Sequence, residues 1–257
     1  VKYIFSQDID KLLRTKKRIF LFLDFDGTLS PIVKNPDQAK LPKSSKALLK
    51  QLVKRKNLIL GIISGRKLSD IRKRVGLKGI IYAGNHGLEM SFKARKKPLV
   101  LKSIKKGLSK AFKGVKGVIL EDKGLVLAVH YRKVAANNVK KVKSAFYQIA
   151  APWLKAKKIK LGKGKKVLEI KPNISFNKAD ALSLFQKKFK KQKGELTIFI
   201  GDDLTDEDIF KMLKKPDMAI RVGKTRASLA KYFLKDPQEV RKLLNYIAKT
   251  LAKTGLL

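Results

Sequence analysis

Cysteine is absent from the chain, which excludes disulfides, thiolate nucleophiles and zinc–thiolate centres together. Histidine is nearly as scarce, at two residues, so chemistry must rest on carboxylates, hydroxyls and amines. No apolar run approaches the roughly eighteen residues of a membrane span; the stretch around Ile19 to Phe25 is short and carries Asp24. The segment before it lacks the long apolar region and cleavage site of a secretory signal. The expectation is a soluble, cytoplasmic protein with no membrane partner. Acids are the other shortage: 20 Asp and Glu face 62 Lys and Arg, a formal charge of +42, and such a surface attracts polyanions. The lysines are spread through every helix-like segment rather than gathered on one face or interleaved with aromatics. They read as a solvated coat capable of nonspecific polyanion binding, not as a dedicated nucleic-acid surface.

What is present is a pattern of short apolar strands ending in polar motifs. Ile19 to Phe22, Leu58 to Ile63 and Thr197 to Ile200 have the composition of buried parallel strands. Between the first two, Ser44 to Lys56 places Leu48, Leu49, Leu52 and Val53 on one helical face. Strand, helix and strand predict an α/β fold with a doubly wound parallel sheet, whose ligand site lies beyond the carboxyl ends of the strands. The middle of the chain predicts a smaller α+β unit of αββαββ pattern. Its elements are a helix over Leu99 to Phe112, strands over Val118 to Glu121 and Leu125 to Arg132, a helix over Ala135 to Ala150, then two strands. Residues 98–171 are therefore expected as an insertion, with 1–97 and 172–257 forming the core. About twenty basic residues of the insertion face only Glu121, Asp122 and Glu169. Gly162-Lys163-Gly164-Lys165-Lys166 lacks the spacing and hydroxyl of a phosphate loop and predicts a hairpin turn.

The polar motifs carry the chemistry. In LFLDFDGTLSP, residues 21–31, an apolar strand runs into Asp24 and Asp26. Side chains two apart on extended backbone face the same way, and two such carboxylates repel unless a cation or proton lies between them. A divalent metal is the economical answer. Gly27 permits a sharp turn, and Thr28 offers a hydroxyl and an amide to an anion. The second acidic cluster, GDDLTDED at 201–208, holds five acids in seven residues. Thr205 is expected to cap a helix whose first turn holds Asp206, Glu207 and Asp208. Asp202 and Asp203, at a strand end, suit a hard oxygen-ligated cation such as Mg²⁺. Ser64-Gly65-Arg66 after the second strand, and Lys178 behind the cap residue Asn177, supply hydroxyl and positive charge for a phosphate.

In that order, DFDGTLSP, SGR, a later Lys and GDDLTDED resemble the four motifs of haloacid dehalogenase phosphatases. The resemblance implies that Asp24 attacks phosphorus to form a phosphoaspartyl intermediate, and that Asp26 protonates the leaving oxygen and then activates water. It further implies Mg²⁺ held by Asp24, the Asp26 carbonyl and Asp202, with Asp206 orienting water, and phosphoryl oxygens bound by Ser64 and Lys178, near Thr28, Gly65 and Arg66. The strings AGNHGLEM (83–90), EDKGLVLAVHYR (121–132), GKKVLEIKP (164–172) and GDDLTDEDIF (201–210) resemble the trehalose-6-phosphate phosphatase family along nearly the whole chain. This second resemblance implies a small-molecule sugar phosphate as substrate. The insertion becomes a mobile cap that reads the sugar through Glu121, Lys123, Arg132 and Glu169. From their own positions, His86, beyond a strand, is expected to face the cleft as a further substrate contact, and His130, within a strand pattern, is read as structural. Lys171 stands where the family more often has Arg, whose fork geometry differs. The alternatives are a phosphatase for a sucrose or mannosyl phosphate, or a basic nucleic-acid-binding protein on the same scaffold.

Overall fold

The computed structural model describes residues 1–33, 35–91, 99–164, 166–173, 176–225 and 227–253, which divide into two compact units, 1–93 with 176–257 and 94–175. The expected core–insertion boundary at 97/98, and Lys165 of the glycine–lysine string, lie outside the described residues.

The larger unit opens with β1 (Lys2–Tyr3), α1 (Ile9–Arg14), β2 (Ile19–Leu23), α2 (Lys43–Leu52), β3 (Leu58–Ile63), α3 (Leu68–Val75), β4 (Ile81–Gly84) and β5 (Glu89–Met90). The smaller unit contributes α4 (Leu99–Ala111), β6 (Ile119–Asp122), β7 (Leu127–His130), α5 (Ala136–Lys155), β8 (Ile159–Gly164) and β9 (Val167–Pro172). The chain then returns through α6 (Lys178–Lys188), β10 (Leu196–Gly201), α7 (Glu207–Met212), β11 (Met218–Val222), β12 (Tyr232–Leu234) and α8 (Pro237–Lys253).

Eight strands form one sheet in the order β1-β12-β11-β10-β2-β3-β4-β5, parallel except for β4 against β5. The strand order reverses at β2, where β3 and β4 run to one side and β10, β11 and β12 to the other. Such a switch point opens a crevice at the strands' carboxyl ends. Every residue of β2 is buried, as expected of a central strand covered on both faces. Ile19, Leu21 and Leu23 join a core with α2 and α8, whereas Phe20 and Phe22 join a second core with α6 and α7. Phe22 stacks on Phe185 of α6 at 5.4 Å between centroids, which ties the strand to the helix that begins at Lys178. Gly61 of β3 makes room for this ring, since a β-carbon there would lie 2.4 Å from Phe22 Cδ1. Truncating Phe22 to Ala would cost about 3–5 kcal/mol.

In the smaller unit the strands run antiparallel in the order β6-β7-β9-β8. Leu127, Val129, Leu168 and Ile170 pack on Leu101, Ile104, Leu108 and Phe146 of the two helices. The opposite face carries the in-register row Glu121, Ala128, Glu169, Gly162. The glycine–lysine string falls at the β8–β9 hairpin, closed by the Gly164–Val167 pair. Helix α5 runs past the expected stop at Ala150 and through Pro152, because one more turn lets Trp153 pack on the same core.

Candidate active site

Three parallel strands deliver the polar motifs to one place: Asp24 follows β2, Ser64 follows β3 and Asp202 follows β10. The Asp24 amide still donates to the Ile200 carbonyl at 2.9 Å, so the first motif is fastened to the strand that carries the second acidic cluster. Beyond it, the Phe25 carbonyl accepts from the Leu29 and Ser30 amides at 2.9 and 2.8 Å, which folds residues 25–30 into a tight turn. Gly27 sits there with φ +78°, and a β-carbon on it would lie 2.0 Å from Asp202 Oδ2. Glycine is required both by the left-handed backbone and by the approach of that carboxylate. Thr28, fully buried, donates through Oγ1 to Asp202 Oδ1 at 3.1 Å.

Lys178 opens α6 behind the Asn177–Asp180 capping box. Its side chain is 2% exposed, and Nζ lies 3.0 Å from Asp24 Oδ2 and 2.7 Å from Asp206 Oδ1. Burial acts to lower the Lys178 pKa, but the charges of Asp24 and Asp206 outweigh it and hold the amine above its ordinary range. Asp24 responds first to burial, which pushes it up to about 7 with help from Asp206 and Asp202, against the pull of Lys178. Burial and then Asp206 raise Asp202 to about 6, against the Thr28 hydrogen bond. Asp24, Asp202 and Asp206 each offer an oxygen within 4.8 Å of the others. Crowded, partly buried carboxylates with hard oxygen donors form a set that fits a hard divalent cation.

Asp26 departs from the sequence expectation. Strand β2 ends at Leu23, so Asp24 and Asp26 stand on a turn and the two-residue alternation of a strand does not align them. Each carboxylate has its own cation: Asp24 faces Lys178, and Asp26 receives Nε and Nη2 of Arg66 at 2.6 and 2.7 Å. The Asp26 side chain is therefore not in the carboxylate cluster, and only its backbone carbonyl remains for a metal. Asp203 also differs, because it caps the turn over Leu204–Asp206 by accepting from the Leu204 amide while Asp206 Oδ2 accepts from the Asp203 amide. The cap expected of Thr205 is not made, since α7 starts behind Asp206 with no side-chain cap, and only Asp202 of the pair joins the cluster. Ser64 is buried, with its Oγ accepting from the Arg66 amide at 3.2 Å. The His86 imidazole lies against Gly65, and its amide donates to the Ser64 carbonyl at 3.0 Å. Asn85 and His86 both adopt positive φ, 47° and 55°, a costly turn for non-glycine residues placed directly behind the serine motif.

Residues 22–238 match the family model for trehalose-phosphatase. The chain belongs to the trehalose-phosphatase family. It is 31% identical over 260 residues to trehalose-phosphate phosphatase B of Arabidopsis thaliana, a match that covers 93% of the chain and 68% of that relative. Its fold is that of the Aspergillus fumigatus trehalose-6-phosphate phosphatase, with 21% identity, a TM-score of 0.67 and coverage of 97% and 99% of the two chains. It is also that of a haloacid dehalogenase-like hydrolase from Bacteroides thetaiotaomicron, at 17% identity, a TM-score of 0.60 and coverage of 90% and 100%.

In this trehalose-phosphatase family member the four expected sugar-reading residues all lie in the smaller unit. Lys123 Nζ stands 3.7 Å from Glu121 and 3.6 Å from Glu169, so these three are brought together. Arg132 is exposed in the turn beyond β7. Two residues that sequence reasoning set aside join the patch: His130 Nε2 lies 2.9 Å from Glu121 Oε2, and Lys171 Nζ lies 2.9 Å from Glu169 Oε2. The signal for both was strand alternation, since residues 169 and 171, like 128 and 130, share a face. Burial opposes ionisation of Glu169, but Lys171 and Lys123 prevail and hold it below its usual range. Asp70 and Arg74, which complete a chain of ion pairs from Asp26, were likewise not read from the sequence. No helix among the described residues is long and apolar enough to cross a membrane.

Proposed function

We propose that this chain hydrolyses trehalose 6-phosphate to trehalose and inorganic phosphate, a reaction of trehalose biosynthesis, with Mg²⁺ as its cofactor. The observation that carries the reading is the buried Asp24–Lys178–Asp206 cluster with Asp202 beside it, at the switch point of a trehalose-phosphatase family fold. An Asp24 oxygen attacks phosphorus, the bond from phosphorus to the sugar oxygen breaks, and Asp26 delivers a proton to that oxygen. Water then attacks phosphorus of the phosphoaspartyl group, Asp26 accepts its proton, and phosphate leaves with Asp24 restored. Lys178 is buried and charged, so it draws Asp24 toward the ionised form against the effect of burial and offers its remaining N–H to the phosphoryl oxygens with Ser64 and Thr28. Asp24, Asp202 and the Asp26 carbonyl would hold the metal, with Asp206 supporting them, and the bound ion supplies charge neutralisation at the phosphoryl group.

The smaller unit is proposed as the sugar-recognising cap. Glu121 and Glu169 can accept from disaccharide hydroxyls, while Lys123, Lys171 and Arg132 can donate to them. His86, beside Ser64 and Gly65, is proposed as a substrate contact from the core. The test is phosphate release by purified protein with Mg²⁺ across a panel of trehalose, sucrose and mannosyl phosphates. Turnover of trehalose 6-phosphate well above the others supports the reading. Rapid release from a different sugar phosphate alone would retain the phosphatase and reject the substrate.

A further inference from the structure

Every nitrogen of the Arg66 guanidinium is engaged. Nε and Nη2 grip the two oxygens of Asp26 at 2.6 and 2.7 Å, Nη1 reaches Asp70 at 3.0 Å, and Nη2 also donates to the Pro36 carbonyl at 2.8 Å. The guanidinium carbon lies 5.6 Å from the centroid of the Phe25 ring. Asp70 is held in turn by Arg74 Nε, at 2.9 Å to both oxygens, and Arg74 Nη1 donates to the carbonyls of Asp37 and Ala39 at 3.1 and 2.6 Å. Arg66 lies two residues before α3, and Asp70 and Arg74 stand four apart on one face of that helix. Four alternating charges thus run from the turn after β2, along a helix, to the 36–39 segment.

We infer that Arg66 is a positioning residue: its fork fixes the orientation of the Asp26 carboxylate, and the Asp70–Arg74 pair braces that fork against α3. The Asp26 side chain is 41% exposed while that of Arg66 is only 11% exposed. A half-exposed aspartate on a turn would otherwise occupy several χ1 wells. A bidentate guanidinium–carboxylate pair selects one of them, which a lysine ammonium, as a point charge, does not do. The sequence reading put Arg66 on the phosphate, whereas this geometry gives it to the group that moves the proton.

The inference rests on the reading of Asp26 as acid and base, and leaving-group chemistry separates the two. A sugar alkoxide departs only with a proton, whereas p-nitrophenolate departs without one. Asp26→Asn is therefore expected to lower kcat/KM, which reports the first transfer, about 10²–10⁴-fold for trehalose 6-phosphate and far less for p-nitrophenyl phosphate, while the later hydrolysis of the phosphoaspartyl group slows for both. Arg66→Met should lower kcat/KM on the sugar phosphate roughly 10–100-fold without raising KM, and leave kcat/KM for p-nitrophenyl phosphate nearly unaffected. Adding Arg66→Met to Asp26→Asn should slow the enzyme no further, because both changes remove one function. Arg66→Lys retains the charge and should show the same selectivity, which decides the matter if the Met variant does not fold. Equal losses on both substrates with a raised KM would make Arg66 a phosphate ligand and overturn the inference alone. An Asp26→Asn variant that lowers kcat/KM equally for both substrates would overturn the acid reading and the inference with it.

Discussion

Replacing Lys178 by Met tests the electrostatics of the site where they are strongest. The Lys178, Asp24 and Asp206 side chains are 2%, 8% and 0% exposed, so solvent does little to screen them. Methionine fills similar space but leaves two buried carboxylates without their cation. Breaking a buried pair in this way costs about 3–5 kcal/mol, or roughly 6–20 °C in melting temperature for a chain of this size. The cost depends on pH in a determined direction. An aspartate in the unfolded chain titrates near 3.9, and burial carries Asp24 up to about 7 in the fold. Between those values the folded state keeps a proton that the unfolded state has lost. The contribution of Asp24 to stability is therefore greatest below about pH 4 and fades as pH rises through 7. Without Lys178 that window extends to still higher pH. Thermal melts of both proteins in EDTA should show the full loss at pH 8 and a clearly smaller one at pH 5, where Asp24 is protonated. A difference that is the same at both values, or absent at pH 8, would refute the claim that Lys178 neutralises these carboxylates.

The same geometry sets three further outcomes. Stabilisation of the wild-type protein by Mg²⁺, read as the shift in melting temperature, should be larger at pH 8 than at pH 5.5, because Asp24 at about 7 and Asp202 at about 6 must first lose protons. Gly27→Ala places a β-carbon 2.0 Å from Asp202 Oδ2 at a φ of +78°. It should weaken the Mg²⁺ dependence of activity by about 10–100-fold, measured by metal titration. Glu169→Gln removes the charge that Lys171 and Lys123 face. It should raise KM for the sugar phosphate by roughly 10–100-fold, with p-nitrophenyl phosphate unchanged.

The central strands were legible because burial on both faces forces continuous apolar runs, and Leu58–Ile63 was read to the residue. The motifs after them were legible because glycine, hydroxyl and acid cluster where a strand must turn. The short outer strands β11 and β12 were not read, since MAIRV carries Arg221 and YFL is too brief to show a period. Within the site, order along the chain brought Asp24, Asp202, Asp206 and Lys178 together. What it could not provide was the partner of each charge. Extending strand alternation three residues past Leu23, to Asp26, wrongly paired Asp24 with Asp26. Among 62 basic residues, neither the grip of Arg66 on Asp26 nor the contact of Lys178 with Asp206 stood out, because both depend on which side chains the fold buries.

The most direct measurement is acid quench of the enzyme within its first turnover on ³²P-labelled substrate, followed by peptide mapping. The account predicts hydroxylamine-sensitive label on the peptide that contains Asp24, and none in Asp24→Asn. Substrate turned over without any label on the protein, or label on another residue, would contradict it.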